Sequence, residues 1–109
     1  MMSAEIVSVD VSPSPKVGDD FYLKVNVKNA KGLYFEPIVS PFCTSLIDKN
    51  PKVVPSDAEV TLVAKYRVNS YPIGSNIKAL IILKEGEAVG ILSFVGTIRA
   101  VKYQTFPVS

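Results

Sequence analysis

Histidine is absent from the chain, and that one absence removes the Ser-His-Asp and Cys-His catalytic arrangements together with the commonest metal ligand. Cysteine occurs once, as Cys43, so no disulfide can form within the chain. A lone thiol of this kind is more often a small buried hydrophobe than a nucleophile. No Gly-rich phosphate loop precedes a helix, and no ten-residue segment carries helical periodicity. Long apolar runs are missing too. Ala79-Leu80-Ile81-Ile82-Leu83, the longest in the second half, falls far short of the roughly 20 residues that cross a bilayer, so no membrane span is expected. Low-complexity tracts, Gly/Ser linkers and repeats of solenoid period are also lacking. Twelve basic and ten acidic residues leave a net charge of +2, too small to argue for nucleic acid or membrane, so only a local patch could matter.

What remains fits one domain over residues 1–109, with a hydrophobic fraction of 48% that is ample for one core. The N-terminus reaches Glu5 before any apolar run, so it reads as no signal peptide, and the chain reads as soluble. Its compartment stays open, an extracellular module of a longer precursor included.

The organising stretch is 16–29, a turn at Val17-Gly18-Asp19-Asp20 followed by strict alternation. Phe21, Leu23, Val25 and Val27 share one face, and Tyr22, Lys24, Asn26 and Lys28 the other. Period two of this quality means one buried and one wet face, as in an antiparallel sheet on a core. Before it, Glu5 to Val11 alternates, with Val7, Val9 and Val11 expected inward, and ends at Ser12-Pro13-Ser14-Pro15. After it, Asn29-Ala30-Lys31-Gly32 is a turn.

Val9-Asp10-Val11-Ser12-Pro13 leading to Val17-Gly18-Asp19, with a strand closed by Val27-Lys28-Asn29, resembles the opening of CARDB-type and similar immunoglobulin-like domains. Val54-Pro55-Ser56-Asp57-Ala58-Glu59-Val60-Thr61-Leu62 followed by Tyr71-Pro72-Ile73-Gly74 is similar to the passage before their penultimate strand. The resemblance covers about half the chain. It implies a sandwich with an adhesive or scaffolding role, and it carries over no catalytic residues.

Leu33 to Val39 reads as a strand made an edge or bulged element by Pro37, and Phe42 to Ile47 as a short strand. Asp48-Lys49-Asn50-Pro51 reads as a turn, and Lys52 to Asp57 as a crossing to the other sheet. Val60, Leu62, Ala64, Tyr66 and Val68 alternate against Thr61, Val63, Lys65, Arg67 and Asn69 in a second clean strand. Ile77 to Leu83 and Val89 to Val95 are apolar on both faces, with Lys84-Glu85-Gly86-Glu87 as the hairpin turn between them and Thr97 to Tyr103 as the last strand. The expected fold is an all-β, immunoglobulin-like antiparallel sandwich of seven to eight strands, a barrel being its structural rival.

The acidic residues fall mostly in expected turns, where they satisfy backbone donors, and a carboxylate-pair hydrolase would need two converging in a cleft. Asp19, Asp20, Asp57 and Glu59 match no calcium loop and read as turn and strand-end residues. The chain is therefore read as non-enzymatic, without cofactor or metal. Two constellations could bind something. One is the two-sided apolar hairpin, with Leu80, Ile82, Leu92 and Phe94 as an interface that either the tail Val101 to Val108 or a second copy covers. The other is a basic sheet face of Tyr22, Lys24, Lys28, Lys65 and Arg67, which could contact a nucleic acid or another polyanion; a plain solvated face is the simpler account. The expected function is a non-catalytic interaction or assembly module whose partner is itself or another protein, with polyanion binding as the alternative.

Overall fold

The computed structural model describes residues 2–40, 42–46, 52–70, 74–89 and 93–109, with the side chains of 87–89 and 93–95 outside the description. Among the described residues, eight strands form two four-stranded antiparallel sheets, an immunoglobulin-like sandwich. The strands are β1 (Glu5–Ser12), β2 (Asp20–Lys28), β3 (Tyr34–Val39), β4 (Cys43–Ser45), β5 (Lys52–Val53), β6 (Val60–Val68), β7 (Asn76–Val89) and β8 (Ser93–Pro107). The first sheet has the order β1-β2-β6-β4 and the second β5-β3-β7-β8. Among the described residues there is no helix.

The alternation of β2 is realised in full. Phe21, Leu23, Val25 and Val27 are completely buried and meet Val68, Tyr66 and Ala64 of β6 and Ile77, Ala79, Ile81 and Leu83 of β7 in one core. The turn before β2 closes when Asp19 N donates to Lys16 O at 3.0 Å, with Gly18 at φ +85° in the third position, a conformation that glycine adopts without steric cost. Gly32 at φ +82° plays the same part in the turn Ala30–Leu33.

In β1 the register slips between Ile6 and Ser8, so Val7 is an inserted residue of a bulge and is 38% exposed. The inward set is Ile6, Val9 and Val11 rather than Val7, Val9 and Val11, because one extra residue reverses the phase of everything before it. β3 runs in unbroken register with β7, so it is not bulged. Its other neighbour, β5, pairs only with Tyr34 and Phe35, and Pro37, which lacks an N–H, lies past the end of that pairing. β5 belongs to the second sheet and β6 to the first, so the chain crosses between sheets after Val53, as the prolines of this segment suggest. The expected turn at 48–51 lies outside the described residues, as does Ile47.

The hairpin expected at Lys84-Glu85-Gly86-Glu87 does not form. β7 continues through it to Val89, with Gly86 opposite Gly96, and β8 begins at Ser93 and runs to Pro107. A turn at Gly86 would have paired the Ile77–Leu83 run with the residues immediately following. In the observed register it pairs with Ala100–Phe106, which places Phe106 beside Ile77 and Ala100 beside Leu83 on the core side. Beyond Leu83 the register shifts again, Lys84 facing Ile98, and Arg99 is the inserted residue.

Candidate interaction face

The two sheets turn outward two faces of opposite chemistry. On the first sheet, directly opposed residues form polar rungs, because opposed side chains in an antiparallel pair lie on the same side. Ser8, Asn26 and Thr61 make one rung: Asn26 Nδ2 donates to Ser8 Oγ at 2.9 Å and Thr61 Oγ1 donates to Asn26 Oδ1 at 2.5 Å. Glu5 pairs with Lys28 at 3.9 Å, and Asp10 lies opposite Lys24. Arg67 Nε donates to Asp20 Oδ1 at 2.8 Å, and Lys65 Nζ lies 3.8 Å from the same carboxylate and 5.6 Å from the centroid of Tyr22.

Tyr22, Lys24, Lys28, Lys65 and Arg67 therefore do share one face, since β2 and β6 are neighbours. Their charge is largely answered in place by Glu5, Asp10 and Asp20. The hydrogen bond from Arg67 holds the Asp20 carboxyl below its ordinary pKa of 3.8, helped by the charges of Arg67 and Lys65 and opposed by partial burial. The same bond raises the pKa of the Arg67 guanidinium.

On the second sheet the outward rungs are Ile38, Leu80 and Tyr103; then Glu36, Ile82 and Val101; then Tyr34, Lys84 and Ile98. Ile38 is 47% exposed, Ile98 55%, Val101 57% and Tyr103 57%. Among the described residues one ion pair, between Lys84 Nζ and Glu36 Oε2, crosses the middle of this apolar surface, and that carboxylate oxygen is out of contact with solvent. Lys78 marks one end and the Arg99–Glu85 pair, with Nε to Oε2 at 2.6 Å, the other.

Of the four residues expected at an apolar interface, Leu80 and Ile82 lie in the middle of this face, and Ile82 is only 7% exposed because its neighbours on β3 and β8 flank it. Phe94 lies in β8 opposite Ala88, its side chain outside the description, and Leu92 lies outside the described residues. The tail does not lie over Leu80 and Ile82. As β8 it stands beside β7 in the same sheet and widens the face.

The residues that expose most apolar surface here, Ile38, Ile98, Val101 and Tyr103, are ones the sequence did not single out. Their phase is concealed because Lys102 and Gln104, opposite Ile81 and Ala79, take the inner side. At the rim of the sandwich a lysine can lay its aliphatic stem along the core and keep its ammonium wet. An inward lysine on an edge strand also discourages edge-to-edge pairing.

Among the described residues, no group of three or more Cys, Asp or Glu is placed to hold a metal ion, and no helix is long and apolar enough to cross a membrane. No family model, curated protein or solved structure matches the chain.

Proposed function

We propose that the protein is a non-catalytic assembly module that associates with its own kind through the outer face of the sheet β5-β3-β7-β8. The observation that carries this is the contrast in exposed side chains. One outer face bears hydrogen-bonded and ionic rungs, and the other leaves Ile38, Ile98, Val101 and Tyr103 about half exposed around Leu80 and Ile82. Those four side chains present on the order of 400 Å² to water, the size of the largest apolar patch on a typical monomer, which is often functional. Removing that area from water at about 25 cal/mol per Å² contributes on the order of 10 kcal/mol, enough to exceed a moderate association entropy. The likeness of the opening segment to CARDB-type domains agrees with a scaffolding role.

The test is molar mass by light scattering over a range of protein concentrations at low and high salt. Association that survives high salt and is lost on Val101→Ser with Tyr103→Ser supports the proposal. A monomer under every condition refutes it, and retention on a polyanion column that falls steeply with salt would give the function to the basic face instead. Val101 and Tyr103 suit this test better than Ile82, whose truncation would also disturb packing.

A further inference from the structure

The outer face of the second sheet sets two charges among apolar side chains. Glu36 shares a rung with Ile82 and Val101, and Lys84, one rung on and one strand over, shares its rung with Tyr34 and Ile98. The two meet diagonally as an ion pair. The Glu36 carboxylate is incompletely provided for: its Oε2 is cut off from solvent, and among the described residues no hydrogen bond reaches that oxygen beyond the ionic contact with Lys84. The Glu36 side chain is still 33% exposed and that of Lys84 20%, so water solvates what remains of both groups.

Burying an ion pair is unfavourable unless further hydrogen bonds replace the water that leaves. A purely apolar surface laid on this face would strip Glu36 and Lys84 of that water and return nothing. A fitting occupant is apolar over Ile38, Leu80, Val101 and Tyr103 and also brings a cation to Glu36 and an anion to Lys84. The outer face of the first sheet does not answer this description, because its Asp20 is tied to Arg67 and Lys65 and its rungs are polar. The same face on a second copy does, with one carboxylate and one ammonium in the same arrangement.

Two copies packed face to face are related by a two-fold axis lying between their sheets. An axis running along the strands keeps each rung on its own counterpart and brings like charges to the same level. An axis crossing the strands between the Glu36 and Lys84 rungs reverses the rung order, so Glu36 of each copy lies against Lys84 of the other. The same operation lays Val101 of one copy against Ile98 of the other, apolar on apolar.

We infer that this face closes on itself as a two-fold dimer in which Glu36 and Lys84 of each copy pair with Lys84 and Glu36 of the other, the four charges setting register and choice of partner. This rests on the self-association proposed above and names what makes it specific. An isologous contact uses one patch on both copies, so assembly ends at two. Other registers lay like charges together or leave them unpaired. The two faces together remove on the order of 800 Å² of exposed apolar surface, below the standard interface size, so the dimer is concentration-dependent. Its charges are covered, so salt weakens it little.

Light scattering over a concentration series tests it with the unaltered chain, Glu36→Lys, Lys84→Glu and the double exchange Glu36→Lys with Lys84→Glu. The mass of the unaltered chain is expected to double and rise no further. Each single variant is monomeric at the same concentrations, because it lays four like charges together, and mixing the two single variants restores the dimer. The double exchange keeps an ion pair within the chain, which guards the fold, and dimerises with itself. Mixed with isotope-labelled unaltered chain, it gives two separate homodimers and no mixed dimer in native mass spectrometry, a result that stands whether or not the single variants fold. Single variants that dimerise as the unaltered chain does, or double-exchange chains that form mixed dimers freely, overturn the inference and leave assembly through the apolar surface standing. Single variants with unaltered thermal midpoints that stay monomeric when mixed overturn it too, and so does a mass that climbs past two copies. A monomeric unaltered chain removes both this inference and the proposal on which it rests.

Discussion

The inner faces of the two sheets are interchangeable in character, and the outer faces are not. Phe21, Leu23 and Val25 on one side and Ile77, Ile81 and Leu83 on the other are all fully buried aliphatic or aromatic side chains. Outward, the first sheet ties its strands together with Ser8, Asn26 and Thr61 and with the Asp20 and Glu5 ion pairs, whereas the second offers water isoleucine, valine and tyrosine around one ion pair. A sheet face meant for solvent satisfies itself laterally. A face without such rungs has surface left to satisfy elsewhere, which makes the second sheet the place to look for a partner.

The largest effect that sharpens this contrast lies inside, where β6 of the first sheet places the phenol of Tyr66 in the core. Tyr66 stacks on Phe21 at 5.7 Å between centroids, and burial, reinforced by Cys43 nearby, pushes its pKa from 10 up to about 12. Below pH 10 the phenol is neutral in both folded and unfolded chains, and the protein keeps its full stability. Between pH 10 and 12 the unfolded chain ionises and the folded one does not, so stability falls by on the order of 2 kcal/mol. Denaturant midpoints measured from pH 9 to 12 should fall for the unaltered chain and fall less for Tyr66→Phe. Equal alkaline slopes would mean that other tyrosines or the lysines dominate.

A smaller effect separates the outer faces directly. Asn26→Ala removes both hydrogen bonds of its rung and should cost about 1 kcal/mol. Ile38→Ser on the other face touches no rung and should leave the denaturant midpoint of the monomer nearly unchanged while weakening association. If Asn26→Ala is silent in unfolding and Ile38→Ser is not, the first face owes nothing to its rungs and the contrast fails.

How far these faces could be read beforehand depended on phase. β2 and β6 were legible because every second residue from Phe21 to Val27 and from Val60 to Val68 is apolar and every intervening one, Val63 excepted, can face water. Their adjacency then put Tyr22, Lys24, Lys65 and Arg67 together. β1 was legible as a strand but not in phase, since the bulge at Val7 reverses Ile6, and nothing in a run of valines announces which one is inserted. The run Ile77 to Leu83 was legible as apolar on both sides, a pattern that does not tell which side faces the core. The turn after it was misplaced because Gly86 flanked by glutamates has turn chemistry but sits in a ladder opposite Gly96. The misplaced turn in turn hid Val101 and Tyr103. Once β8 pairs with β7 over its whole length, Lys102 and Gln104 must point to the core side, contrary to their polarity, and only the register reveals it.

The smallest effect tests the ionic part of the first face. Because the Arg67 hydrogen bond and the neighbouring charges hold the Asp20 carboxyl below 3.8, the folded chain keeps this group ionised at a pH where the unfolded chain has begun to protonate it. The associated stability is present above the ordinary carboxylate range and is lost as pH falls through the depressed folded value. Asp20 pairs with Arg67 and Lys65 at an exposed position where counter-ions reach it, so the contribution should also shrink with salt. Asp20→Asn should therefore lower the denaturant midpoint slightly at pH 6 and low salt. At a pH below the depressed folded value, or in molar salt, it should make no difference. A difference that persists unchanged at low pH would show that Asp20 acts through hydrogen-bond geometry rather than charge, and the first face would then be held by its neutral rungs alone.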